Sequence, residues 1–131
     1  MKIEFTVYGK PQPQGSAKAF IVGGRARITT ANPKMKPWRQ EIAGTALSLM
    51  NGAAPSLGPI EFRGQFFFDK PKSTKKSVIR KTTKPDVDKI LRACLDSLTG
   101  IAFKDDSQVV KVNIEKMFGT PERVEIGVYE L

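Results

Sequence analysis

Residues 3–7 and 60–68 alternate apolar and polar positions with a period of two, which is typical of strands with one buried face. The same alternation recurs in residues 110–114 and 124–128, on either side of a Gly-Thr-Pro sequence at 119–121. Because that sequence is rich in turn-forming residues, we expect the last two strands to form a terminal antiparallel hairpin.

Apolar residues at helical spacing predict two helices. The first helix has Pro37 in its first turn and stops at the Asn-Gly pair at 51–52, and the second follows Pro85 and stops near Gly100. The side chains predicted to be buried on these helices are Trp38, Ile42, Ala46, Leu49, Ile90, Leu91, Cys94, Leu95 and Leu98.

Two irregular segments separate these elements. Residues 10–33 are rich in proline, glycine and basic residues, and the Gly23-Gly24 pair within them predicts a short exposed hairpin. Residues 70–84 hold seven lysines or arginines and no acid, without a regular apolar period, which predicts a loop. The chain of 131 residues is therefore expected to form an α/β fold, a single domain over residues 1–131 with a mixed β-sheet and two main helices packed on it.

The charge of the chain favours a polyanionic partner. It contains 22 lysines and arginines against 13 aspartates and glutamates, for a net charge of +9, and nucleic acid is the leading candidate. The single Cys94 excludes an internal disulfide, and the absence of histidine removes the usual general base and the commonest metal ligand. We find no signal sequence and no membrane-spanning run, so the sequence predicts a cytoplasmic protein with no membrane partner.

Two pairs of aspartates lie at predicted element boundaries: Asp86 with Asp88, and Asp105 with Asp106. Helical side chains two residues apart point about 200° away from each other. Both Asp86 and Asp88 can therefore reach one ion only if Asp86 lies on an extended segment after Pro85 and Asp88 lies in the first turn. Alternatively, Asp86 caps the helix and the later pair forms a turn.

Carboxylates beside a basic loop are suited to a hard cation that engages phosphate oxygens, and Mg²⁺ is the natural candidate. Without histidine, a phosphodiester would be attacked by a metal-activated water. Lys89 and Arg92, on or near the exposed side of the second helix, can neutralise charge in the transition state. Alternatively, Arg92 only pairs with Asp88 and Asp96 at helical spacing.

The segment KPDVDKILRACLDSLTGIAFKDDSQVV resembles the signature of the RusA-type Holliday junction resolvases, small nucleases encoded mainly by bacteria and their prophages. A weaker resemblance extends over nearly the whole chain. It implies a RusA-like homodimer that binds branched DNA, especially four-way junctions, and makes paired symmetric nicks with Mg²⁺ or Mn²⁺ during recombination and repair.

The resemblance also assigns site residues. Asp86, Asp88 and Asp106 match the essential metal-site carboxylates, and Asp105 matches a neighbouring acid. Arg92 stands where the family often has a catalytic lysine, which favours an electrostatic role over proton transfer because arginine does not readily lose its proton.

Basic residues of the arm and loop are expected to contact DNA phosphates. The predicted DNA-binding residues are Lys18, Arg25, Arg27, Lys70, Lys72, Lys75, Lys76, Arg80, Lys81, Lys84 and Lys89. Two alternatives stay open on these residues: a nuclease for forks or flaps, and a basic DNA-binding protein without nuclease activity, in which the aspartates only cap helices and turns.

Overall fold

A computed structural model describes residues 1–15, 17–30 and 32–131, and it describes the side chains of all of these except residues 17–20 and 28–30. The chain forms a mixed α/β domain. In chain order, the elements are β1 (Lys2–Tyr8), β2 (Ala17–Val22), β3 (Arg25–Thr30), α1 (Met35–Met50), β4 (Ile60–Phe68), α2 (Val87–Leu98), β5 (Val109–Phe118) and β6 (Arg123–Glu130).

The main sheet has the strand order β1-β6-β4-β5 and is mixed, because β5 runs parallel to β4 while β6 runs antiparallel to both β4 and β1. The predicted terminal hairpin is therefore wrong, since β4 lies between β5 and β6. The connection after β5 passes the end of β4, where the Gly119 N–H donates to the Phe68 carbonyl at 2.9 Å. The α2 crossover makes β5 parallel to β4 and leaves the other side of β4 for β6.

The two helices pack on one face of this sheet and enclose the core. The predicted β4 pattern is confirmed, because Ile60, Phe62, Phe66 and Phe68 are all buried. The helix α1 buries Met50 in place of Leu49, which is 47% exposed, because Met50 lies four residues after Ala46 and continues the buried face, whereas Leu49 points to one side of it. The buried residues of β4 are thus the predicted ones, and the end of α1 differs from the prediction by one residue.

The strands β2 and β3 form a separate antiparallel ribbon. Gly23 and Gly24 form its turn with φ of 58° and 75°, the conformation that a two-residue hairpin of this type requires and that glycine adopts without strain. The predicted hairpin is confirmed. Near the turn, Ile21 is 77% exposed and Arg25 and Arg27 are exposed, so the tip presents both apolar and cationic side chains.

The basic loop, residues 70–84, is irregular as predicted and packs against the C-terminal end of β5. Arg80 forms an ion pair with Glu115 at 2.7 Å, and the Phe118 N–H donates to the Ile79 carbonyl. The start of α2, which follows this loop, therefore lies near the C-terminal end of β5. Within the part of the chain that the structure describes, no helix is long and apolar enough to cross a membrane.

Candidate active site

Asp86 and Asp88 lie where the geometric argument requires. Asp86 has extended backbone angles, φ −69° and ψ 141°, directly before α2, and Asp88 lies in the first turn. The Asp86 carboxylate makes no capping hydrogen bond, so the capping alternative does not account for it. Its charged neighbour is Lys89, with Nζ 3.9 Å from Oδ2. Both carboxylates are exposed and are available to a ligand.

Asp105 and Asp106 lie at a short 3₁₀ turn, Asp106–Gln108, before β5. The Asp105 carboxylate accepts a hydrogen bond from the Ser107 N–H at 3.0 Å, while its own N–H donates to Gln108 Oε1 at 2.9 Å. The side-chain and backbone hydrogen bonds with Ser107 hold the pKa of Asp105 below its ordinary value. Asp105 therefore has a capping role, whereas Asp106 is exposed without one.

The two aspartate pairs lie at opposite ends of α2. The 12 residues of α2 span about 18 Å at the usual rise. At its start, Lys116 Nζ near the end of β5 donates to the Pro85 carbonyl at 2.8 Å. At its far end, the Gly100 N–H donates to the Phe103 carbonyl, and the Lys104 N–H donates to the Ser56 carbonyl. These bonds keep the segment that leads to Asp105 at the far end.

The structure therefore does not bring Asp86 and Asp88 together with Asp106 and its neighbour Asp105 within one chain. Among the residues that the structure describes, no group of three or more Asp, Glu, Cys or His side chains is placed to hold a metal ion. The Asp86–Asp88 pair alone has the right chemistry for Mg²⁺, which needs only one or two protein carboxylates and takes its other ligands from water and phosphate.

Lys89 and Arg92 are both exposed on α2 near the Asp86–Asp88 pair. No ion pair joins Arg92 to Asp88 or to Asp96 among the described residues. The purely structural alternative for Arg92 thus lacks its expected contacts. Cys94 is fully buried in α2, and burial raises the pKa of its thiol, as expected for a core residue and not a reactive one.

The predicted DNA-binding residues occupy two surfaces. Arg25 and Arg27 lie on the ribbon, whereas Lys81, Lys84 and Lys89 line a cleft at the start of α2 and the other predicted cations lie earlier in the basic loop. Two of the loop cations also have internal partners: Arg80 with Glu115, and Lys70, whose Nζ donates to the Lys75 and Lys76 carbonyls at 3.0 Å. The side chain of Lys18 lies outside the described residues.

Sequence reasoning missed residues that the fold brings to the same place. Lys10, Gln12 and Asn32 line a cleft beside Asp86 together with cations of the basic loop. Lys116 reaches the loop from β5. The contact of residues 11–14 with α2, through the Gln14 N–H and the Lys89 carbonyl, is long-range and has no local signature in the sequence.

The fold and the site together define a basic α/β protein with free carboxylates at the edge of a cationic cleft, a combination suited to hydrolysis of a nucleic-acid backbone. The profile of the family described as "Endodeoxyribonuclease RusA" matches residues 8–129, and the chain belongs to that family. The chain is also 32% identical over 139 residues to the "Uncharacterized protein YqaN" of Bacillus subtilis (strain 168), covering 98% of this chain and 96% of YqaN. Family membership implies an endonuclease that acts on DNA.

Proposed function

We propose that this protein is a Holliday junction resolvase, a homodimeric endonuclease that uses Mg²⁺ to make paired symmetric nicks in four-way DNA junctions. The observation that carries the proposal is the start of α2, where Asp86 is extended, free of a cap and next to Asp88. The cationic loop and family membership support DNA as the substrate. A cell would use this activity in recombination and repair.

The reaction is hydrolysis of a phosphodiester. A divalent cation, when bound, supplies an activated water and neutralises charge on the phosphate. Asp86 and Asp88 hold that cation in this proposal. Lys89 and Arg92 approach the same phosphate from α2 and stabilise the negative charge that grows during bond breaking. Arg92 acts through its fixed charge and not as a proton donor.

The separation of the aspartate pairs supports a dimer. Because Asp105 and Asp106 lie about one helix length from Asp86, they serve the same ion only if they come from a second copy of the chain. We therefore propose that Asp86 and Asp88 act with Asp106 of the partner subunit. A two-fold dimer then carries two equivalent sites, which suits a two-fold symmetric junction and paired nicks.

Cleavage of a labelled four-way junction tests this function, with a linear duplex of the same sequence as the matched substrate. We expect cleavage of the junction with Mg²⁺ or Mn²⁺, little cleavage of the duplex, and none with a chelator. Equal cleavage of both substrates contradicts junction specificity. Preference for forks or flaps supports the other branched-DNA nuclease, and a lack of metal-dependent cleavage contradicts the enzyme.

The variant Asp88→Asn separates a nuclease from a DNA-binding protein. We expect it to lose about 10²–10³-fold in cleavage rate, as is typical when one electrostatic group at a reacting centre is removed. Its affinity for the junction in chelator should be unchanged or higher, because a negative charge has been removed. Asp96→Asn on the same helix is the matched control and should cleave like the parent protein.

A further inference from the structure

A cleft of about 360 Å³ opens beside Asp86. The segment that follows β1 forms one wall, and the end of the basic loop with the first turn of α2 forms the other. The charged side chains that line it are Lys10, Lys81, Lys84, Asp86 and Lys89. Four cations thus surround a space that contains one carboxylate.

This excess of positive charge is poorly compensated. Lys89 is 3.9 Å from Asp86, but no ion pair with a carboxylate involves Lys10, Lys81 or Lys84 in the part of the chain that the structure describes. Lys116 adds a further positive charge behind the loop, where its Nζ donates to the Thr83 and Pro85 carbonyls. Like charges held this close repel one another, and an anion in the cleft would relieve the repulsion.

Of the four lysines that line the cleft, Lys81 makes the most contacts with neighbouring side chains. Its ammonium group lies 5.4 Å from the centre of the Phe68 ring and 5.8 Å from that of Phe118, and it donates to Thr83 Oγ1 at 3.0 Å. Partial burial, followed by the charges of Lys116 and Lys10, lowers its pKa. The group is therefore positioned and partly desolvated before any ligand arrives, which reduces the cost of binding an anion.

The opposite wall is also held in place. The Asn32 side-chain amide donates to Gln12 Oε1 at 3.3 Å and to the Pro13 carbonyl at 3.1 Å. The Gln14 N–H donates to the Lys89 carbonyl at 3.0 Å, which ties this wall to α2. These hydrogen bonds fix the wall before any ligand binds, so the cleft is preformed. Lys10 and Lys81 line it from opposite walls.

We propose that this cleft is a binding site for one backbone phosphate of DNA, with Lys81 as its central cation and Lys10 and Lys84 as its flanking cations. The inference rests on the proposed function, because the phosphodiester is taken as the ligand. Its position next to Asp86 orients the bound strand so that the strand continues past the aspartate pair. Lys81 is a positioning residue in this scheme. Lys10 is a further DNA contact, which the sequence did not indicate because it lies outside the basic loop.

Lysine-selective NMR tests the site without requiring cleavage. With ¹³Cε-labelled lysine, inorganic phosphate should shift the signals of Lys81, Lys10 and Lys84 more than chloride at equal ionic strength does. Lys81→Gln should abolish most of the shifts that phosphate causes at Lys10 and Lys84, whereas Lys81→Arg should preserve them. Lys2→Gln is the matched control, because Lys2 lies at the opposite end of β1 and pairs with Glu4.

Junction binding in chelator provides the second measurement. Lys81→Gln should raise Kd about tenfold and reduce the slope of log K against log salt by about 1, the value expected for one lost phosphate contact. Equal responses to phosphate and chloride, or a Lys81→Gln variant that binds like Lys2→Gln, would overturn the site. If the parent protein responds to phosphate and Lys81→Gln loses junction affinity, but the parent protein cleaves no DNA, the proposed nuclease function is overturned and the phosphate site is supported.

Discussion

Asp105 and Asp106 are adjacent residues whose carboxylates have different surroundings. Both are exposed, but Asp105 accepts from the Ser107 N–H and completes a reciprocal cap with Gln108, whereas no hydrogen bond among the described residues involves the Asp106 carboxylate. The side chain of Gln108 also donates to the Ser56 and Gly58 carbonyls at 2.9 Å, so the cap is tied to the segment before β4. Stability and catalysis should therefore be separable at these two positions.

We predict that Asp105→Ala lowers the urea midpoint of unfolding, whereas Asp106→Asn leaves it unchanged and abolishes metal-dependent cleavage. Asp105→Asn keeps an acceptor for the Ser107 N–H and should lose less stability than Asp105→Ala. Because the folded-state pKa of Asp105 is lowered, its charged carboxylate stabilises the fold above the ordinary aspartate pKa. This stabilisation is lost as pH falls through the lowered value. The difference in urea midpoint between the parent protein and Asp105→Ala should therefore become smaller in acid. Equal midpoints at neutral pH would contradict the capping role.

The charges around Lys81 give a second prediction at this scale. Partial burial is the largest cause of the lowered pKa of Lys81. Lys116 from β5 and Lys10 from the segment after β1 lower the pKa further, and Glu122 before β6 opposes them more weakly. Lys10→Gln should therefore raise the pKa of Lys81, as measured by ¹³Cε chemical shifts against pH, and Lys2→Gln should not. Because the folded-state pKa is lowered, the charged form of Lys81 disfavours folding, and this unfavourable contribution should disappear as pH rises through the lowered value to the ordinary lysine pKa. An unchanged pKa in Lys10→Gln would contradict the proximity of the two lysines.

The sequence was sufficient to place Asp86 and Asp88, because a proline, a boundary and a helical period are all local features. It was not sufficient to place Lys10 against α2, since the hydrogen bond from the Gln14 N–H to the Lys89 carbonyl joins segments far apart in the chain. Nor did it show that Asp86 and Asp106 are separated by the length of α2. Side-chain identity indicated the chemistry, but the distance between the two pairs depends on the fold.

At the scale of elements, the sequence predicts which face of β4 is buried but not which strands lie beside it. Alternation identifies the buried face of each strand, as the buried Phe62 and Phe66 confirm. It carries no information about the neighbouring strand, and the short sequence between β5 and β6 was therefore mistaken for a hairpin turn. The actual connection passes the end of β4, whose central position depends on pairing with both neighbours.

Two glycines in different elements give a matched prediction of stability. In β4, a Cβ at Gly64 would lie 2.9 Å from Phe62 and 3.1 Å from Phe66, so Gly64→Ala should destabilise the protein by about 1–3 kcal/mol through overpacking. In α1, a Cβ at Gly44 meets no described atom within 4 Å, and Gly44→Ala should stabilise the helix by up to about 1 kcal/mol. Urea unfolding measures both. A stabilising Gly64→Ala would show that the two phenylalanine rings move apart without cost.

At the scale of the whole molecule, the division of the aspartates between the ends of α2 leads to a prediction about assembly. If Asp86 and Asp88 of one subunit act with Asp106 of the partner subunit, the variants Asp88→Asn and Asp106→Asn should each lose about 10²–10³-fold in cleavage rate as homodimers. In a mixed dimer of the two, one site carries both substitutions and the other carries neither. Mixing should therefore restore one intact site for each dimer.

The complementation is measured by expressing the two variants together with different affinity tags and purifying the mixed dimer on both. On a labelled four-way junction, this dimer should make single nicks at roughly half the rate per dimer of the parent protein, because one of its two equivalent sites is intact. A mixed dimer that carries both substitutions on the same chain is the control, and it should be inactive because each of its sites contains one substituted residue. If instead each site lies within one chain, the two outcomes exchange: the mixture of single variants is inactive and the control retains one working site.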